Sequence, residues 1–196
     1  MYLPTLAPGQ TRIGVSIPIP PPWADEIEQS RISYGDAYAE LVPPHITIIG
    51  PTAVNVSDLP AIIVLLDNIC DSVPPFEVTL AGTGTFLPTS PVVFASVTEG
   101  IDNLTQLEEV ANQGLLASER RFPYHPHVTL AQKVSNEMLE KASRDFAEFR
   151  ARFRVGALWL YQQDVFGVWY KYLKFELRGR DGSNMENAFG IAEVPA

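Results

Sequence analysis

The chain is poor in cysteine, in histidine and in positive charge. Cys70 is the single cysteine among 196 residues. An internal disulfide is therefore excluded, and a reducing cytoplasm suits such a chain. Within "IIVLLDNICD", Cys70 reads as a small apolar residue of a core segment. Fourteen Lys and Arg stand against 23 Asp and Glu, a formal net charge of −9. That argues against broad binding to nucleic-acid duplexes, which needs a basic face. It leaves room for a local pocket that holds one phosphate. The first cation is Arg12, and no apolar run follows it that approaches the ~18 residues of a membrane span. Neither a signal peptide nor a membrane partner is expected, and the expected location is cytoplasmic.

What the chain does have is an ordinary globular composition, with 46% hydrophobic and 19% charged residues. Residues 1–196 read as one bilobal domain, with a tail from about 181 that carries no assignable pattern. "RIGVSIPIP" (12–20) alternates Ile13, Val15, Ile17 and Ile19 and predicts a strand. A helix over 22–36 follows, with proline at its start and acidic residues in its first turn. "HITIIGPT" (45–52) is a second strand, stopped by Gly50 and Pro51. Ser57 is placed to cap a helix that runs to Ser72. Residues 76–86 and 91–97 form a hairpin around "LPTSP". A helix spans 102–117, a strand 127–133, and Ser135 opens a further helix. "RFRVGALWLYQQ" (152–163) and "VWYKYLKFELRG" (168–179) read as two long strands joined around Asp164–Gly167. The mixture predicts an α+β fold: two antiparallel or mixed sheets, helices outside. The monomer is the expected state.

Two of the three histidines begin the same pattern. "PPHITIIG" carries His45 and Thr47, and "PYHPHVTL" carries His127 and Thr129. The two motifs lie 82 residues apart (127 − 45), near half the chain, and each follows a helix. Such a repeat predicts two lobes related by a pseudo-two-fold axis, with the motif strands side by side in a central cleft. Residues i and i+2 of a strand share a face. Two imidazoles and two hydroxyls would then converge. Imidazoles titrate near neutrality and can serve as one acid and one base. Hydroxyls can hold phosphate oxygens. That set suits phosphodiester hydrolysis without a metal.

A metal site is the competing use of the histidines. His125 and His127 on one strand face, with His45, would make three ligands. Pro126 between the first two argues against a shared face, and a metal leaves Thr47 and Thr129 unexplained. Other candidates surround the motifs. Phe86 after "GTGT" is placed to stack on a base or to pack the hairpin. Arg12, Arg120, Arg121, Lys133 and Lys171 are candidate phosphate-neighbouring cations. Tyr124 and His125 lead into the second motif and are candidate rim residues. Trp159, Trp169 and Tyr170 read as core rather than ligand contacts.

With "HIT" at 45–47 and "HVT" at 127–129, the chain resembles the 2H phosphoesterase superfamily, in its 2′-5′ RNA ligase-like (LigT-type) branch. "LAGTGTFLPTSPVVFASV", "FPYHPHVTLAQK" and "ALWLYQQDVFGVWYKYLKFEL" extend the resemblance along most of the chain. The resemblance implies hydrolysis of a 2′,3′-cyclic phosphate, on an RNA end or a nucleotide, to a 2′-phosphate. It implies no metal and no cofactor, and in some members a reversible 2′-5′ RNA joining reaction. It implies His45 as general acid, His127 as general base, and Thr47 and Thr129 as phosphate holders. The chain departs from the branch after its second motif. Thr-Leu-Ala-Arg is common there, and this chain has Gln132 followed by Lys133. That substitution and the acidic balance support a second reading, a nucleotide- or RNA-end-binding protein with little turnover.

Overall fold

The computed structural model describes residues 3–118 and 122–180. Among the described residues eight strands and four α-helices follow one another: β1 (Gln10–Pro18), α1 (Trp23–Ser33), β2 (His45–Asn55), α2 (Leu59–Ser72), β3 (Phe76–Thr85), β4 (Val92–Glu99), α3 (Ile101–Ala111), β5 (His127–Gln132), α4 (Asn136–Asp145), β6 (Arg150–Val155), β7 (Ala157–Gln163) and β8 (Trp169–Glu176). The α+β expectation holds. The expectation of two sheets is corrected, because all eight strands join one sheet in the order β6-β3-β4-β5-β2-β1-β7-β8. Every neighbouring pair is antiparallel.

The joint at the centre is narrow. β2 and β5 meet through one residue pair, Ile46 opposite Val128. β1 and β2, by contrast, pair over eight positions. Four strands lie on each side of the joint. The unit β1-α1-β2 stands on one side and β4-α3-β5 on the other. Their helices cross over: α1 packs against β5, and α3 against β2. The weak strand pairing is thus covered by helices from both halves.

Alternation of side chains sorts the motif strands. Ile46, Ile48, Val128 and Leu130 are buried in the main core, and His45, Thr47, His127 and Thr129 are half-buried on the other face. The core face receives Ile27 of α1, Leu66 of α2, Leu104 of α3 and Leu139 of α4. In α2 the buried set Leu59, Ile62, Leu66, Ile69 and Cys70 follows helical spacing. Cys70 is the core residue its surroundings suggested, and burial pushes its thiol up to about 12.

Four local expectations change. Gly50 and Pro51 do not stop the second strand, since β2 continues through them to Asn55 and its residues 52–55 still pair with β1. Residues 152–163 are not one strand. Gly156 separates β6, on the outer edge beside β3, from β7, beside β1 in the other half. The alternating pattern runs through both strands and carries no mark of the change of partner. Ser57 does not cap α2, since it lies in a 3₁₀ turn (Val56–Asp58) and the α-helix starts at Leu59 with Pro60 in its first turn. α3 stops at Ala111, and a separate 3₁₀ turn at Gly114–Leu116 follows it. Gln113 between them takes φ −132 and ψ 163, extended backbone that ends the α-helix, and Gly114 follows at φ 54. Ser135 does cap α4, its Oγ accepting from the Met138 amide at 3.3 Å. Among the described residues, no helix is long and apolar enough to cross a membrane.

Ile46 is fully buried at the joint. Ile46→Ala is expected to lower unfolding free energy in urea by about 2–5 kcal/mol, as large-to-small core changes do. Ile32→Ala, on the exposed side of α1, is expected to stay within about 0.5 kcal/mol. Equal effects at the two sites would contradict the assigned core.

Candidate active site

The β2–β5 joint brings the two His-x-Thr motifs to one place. His45, Thr47, His127 and Thr129 line a cleft of about 210 Å³, together with Arg31, Val42, Pro44, Pro51, Phe86, Val92 and Gln132. A larger groove of about 540 Å³ adjoins it and shares Thr47, Phe86 and His127 with it. Its further walls include Phe122, Pro123, Tyr124 and His125. Pockets of a few hundred Å³ with convergent polar groups suit small ligands.

Each histidine is held in the same way. His45 Nδ1 lies 2.7 Å from the carbonyl of Pro43, and His127 Nδ1 lies 2.8 Å from the carbonyl of His125. A carbonyl can only accept, so Nδ1 carries the proton in both rings. The lone pair of each neutral imidazole is left on Nε2. In both motifs the acceptor lies two residues before the histidine, with a proline between: Pro43-Pro44-His45 and His125-Pro126-His127. Proline fixes its own φ and keeps the residue before it extended. The leading prolines therefore aim the carbonyls that set the tautomers.

The Nε2 sides differ. Thr47 Oγ1 lies 3.0 Å from His45 Nε2. Among the described residues the matching contact from Thr129 to His127 is absent, so Thr129 presents its hydroxyl to the cleft. His127 is steadied by aromatic edges instead. The Phe86 ring lies 4.9 Å from it at 88°, and Phe94 lies 5.4 Å away. Both histidines lose proton affinity. Burial lowers His45, the bond to Pro43 opposes the shift, and the positive Arg31 adds to it. Burial is also the main cause at His127, which falls to about 4, with His45 and His125 contributing as like charges. At neutral pH the cleft holds two uncharged imidazoles.

The remaining sequence candidates divide. Phe86 lines both cavities and packs on Phe94 at 4.5 Å, so hairpin packing and cleft wall are one role. Tyr124 lines the larger groove and donates from its hydroxyl to the Thr47 carbonyl at 2.8 Å, tying the approach to β5 onto β2. Burial raises its phenol. Gln132 is buried in the cleft wall. Lys133 turns away from the cleft, because its backbone adopts φ 52 and its Nζ donates to the Tyr38 hydroxyl at 2.8 Å. Arg12 is also removed from it, with Nε on the Pro4 carbonyl at 2.8 Å and Nη1 on Gln163. Lys171 lies over the Trp159 ring, and Tyr170, expected in the core, is exposed and donates to Gln162. Trp169 sits in a small separate cluster with Val42 and Tyr161. Arg120 and Arg121 lie outside the described residues. His125 stands in the larger groove rather than with His45, and among the described residues no three His, Cys, Asp or Glu side chains gather as a metal-holding group.

The residue that sequence reasoning missed is Arg31, in the last turn of α1. It lines the cleft although it is only 1% exposed. Its Nε donates to Asp36 Oδ2 at 2.9 Å and its Nη1 to the Val42 carbonyl at 2.8 Å.

The lowered histidines predict a pH effect on stability. Unfolding returns His127 to the ordinary histidine range near 6.5, so between about 6.5 and 4 the unfolded chain binds the extra proton. Stability contributed by the neutral ring is present above that window and is lost as pH falls through it. The melting temperature of the wild type is expected to drop more steeply from pH 6.5 to 4 than that of His127→Gln. Parallel profiles would contradict a depressed His127.

Comparison with known proteins places the geometry in a family. The 2′-5′ RNA ligase superfamily profile matches residues 19–165. A provisionally named phosphoesterase of Bacillus cytotoxicus is 36% identical over 112 residues, and one of Bacillus cereus strain B4264 is 34% identical over the same length. Each match covers 57% of this chain and 64% of the relative, so the chain spans just under two thirds of those curated relatives. In fold, the chain is similar to Escherichia coli LigT crystallised with 3′-AMP, with a TM-score of 0.62 over 86% of this chain and 98% of that one, at 21% identity. A Thermus thermophilus protein gives 0.57 at 22% identity, over 86% and 99% of the two chains. Likeness at such identity speaks for the fold. The profile match covers three quarters of the sequence and includes both His-x-Thr motifs, and on it the chain belongs to the 2′-5′ RNA ligase superfamily.

Proposed function

We propose that the protein is a metal-independent phosphodiesterase that opens 2′,3′-cyclic phosphates, on short RNA ends or nucleotides, to 2′-phosphates. The observation that carries the reading is the pair of neutral imidazoles, each with its Nδ1 proton tied to a backbone carbonyl, lining one cleft. The family relationship supports phosphoester chemistry. LigT has been crystallised with 3′-AMP, with NADP+ and with ATP, which favours a nucleotide-sized ligand here as well. The matched units β1-α1-β2 and β4-α3-β5 favour a pseudo-two-fold cleft with one histidine from each half.

The reaction follows from the two rings. His127 Nε2, lacking a protein partner among the described residues, takes a proton from water as the water oxygen attacks phosphorus. The bond from phosphorus to the 3′ oxygen breaks, and His45 supplies a proton to that oxygen. Thr47 and Thr129 donate to non-bridging oxygens. The neutral ring is the form a base needs at neutral pH, and the bound phosphate anion would raise its basicity from the lowered value. The acid must be protonated, and the bound phosphate anion favours this by placing negative charge beside His45. Phe86 and Tyr124 then border the larger groove that would receive the base.

His45→Ala and His127→Ala are each expected to cut kcat/KM on 2′,3′-cyclic mononucleotides by about 10²- to 10⁴-fold, the range of general acid–base contributions. The melting curves should remain cooperative. Wild-type rates in both variants would refute the reading. Ligand binding by the wild type without product at high enzyme concentration would favour the binding protein, to which Gln132 in the cleft lends its one observation.

A further inference from the structure

The mechanism above leaves one buried charge unused. Arg31 is 1% exposed, and its partner Asp36 is 4% exposed. Asp36 is itself fixed, its Oδ1 accepting from the Tyr38 amide at 2.9 Å. Nε and Nη1 of Arg31 are engaged by Asp36 and by the Val42 carbonyl. Nη2 is buried and has no hydrogen-bond partner among the described residues. Buried polar groups are nearly always paired, and a buried donor left alone is costly. The residue with this orphaned nitrogen lines the cleft beside His45, Thr47, His127 and Thr129.

No other Lys or Arg is among the described residues that line this cleft. Gln132 brings a neutral amide. Arg12, Lys133 and Lys171 are turned elsewhere. We propose that Arg31 is the guanidinium that holds the substrate's phosphate in this cleft, with Nη2 donating to a non-bridging oxygen. The inference rests on the phosphodiester reading above and extends it. Asp36 and Val42 fix the fork before any ligand arrives, so little side-chain freedom is lost on binding. A guanidinium is well matched to phosphoryl oxygens, and in a sheltered cleft its charge meets the negative charge that develops during attack. The charge of Arg31 is already felt at His45, whose proton affinity it lowers. A phosphate bridging the two would screen that repulsion.

The test measures inorganic phosphate affinity by calorimetry, beside the melting temperature and the kcat and KM for a 2′,3′-cyclic mononucleotide. Arg31→Met is combined with Asp36→Asn so that no carboxylate is left buried alone. Loss of a charge-assisted bond is expected to weaken phosphate binding about 10- to 100-fold. Adding Gln132→Arg, which returns a guanidinium from β5, is expected to restore part of that loss. Arg31→Lys keeps the charge without the fork and is expected to weaken phosphate several-fold; it serves as the deciding arm if the double variant gives no cooperative melt. Wild-type phosphate affinity in a folded double variant, or in Arg31→Lys, overturns the proposal. So does a wild type that binds no phosphate. A wild type that binds phosphate through Arg31 yet hydrolyses no cyclic nucleotide would instead refute the reaction and leave the role of Arg31 standing.

Discussion

The pairing of Ile46 with Val128 is the constraint on which the site depends. It joins two four-stranded halves through one position. Because side chains alternate along a strand, putting these two residues into the core sends their neighbours the other way. His45 and Thr47 flank Ile46, and His127 and Thr129 flank Val128. Two pairs of polar side chains, 82 residues apart in sequence, are thereby set around one cleft. The crossed packing of α1 on β5 and α3 on β2 secures a joint that strand hydrogen bonds alone would hold weakly.

Around that joint the site is built from fixed dipoles and one masked charge. The carbonyls of Pro43 and His125 set both tautomers. Burial keeps both rings neutral. Arg31 and Asp36 form an ion pair removed from water, which is expensive unless further bonds complete it. The Val42 carbonyl and the Tyr38 amide supply some of those bonds. The acidic total of the chain therefore does not describe the cleft, where the one charged side chain among the described lining residues is that of Arg31.

The motifs were legible because a strand's two-residue period places His-x-Thr on one face without any tertiary knowledge. The leading prolines were visible too, but only the structure shows their use, as holders of the carbonyls that receive Nδ1. Arg31 was hidden. In "EQSRIS" it reads as an ordinary cation in a helix's last turn, complementing the helix dipole. Nothing in its spacing reports that this turn folds over the cleft, although Asp36 just beyond Gly35 was a usable sign of local pairing. Lys133 was misplaced for a backbone reason, since alternation fails once φ becomes positive. The split of residues 152–163 between opposite sides of the sheet was equally hidden, because hydrophobic alternation marks burial and not partners.

Phosphodiester hydrolysis with the two imidazoles alone as acid and base is the reaction proposed for this cleft. Its most direct measurement is phosphorus NMR of chelator-treated protein with a 2′,3′-cyclic mononucleotide. Conversion to the 2′-phosphate is expected, at the same rate whether or not chelator is present. No turnover, turnover that requires added metal, or a 3′-phosphate product would contradict it.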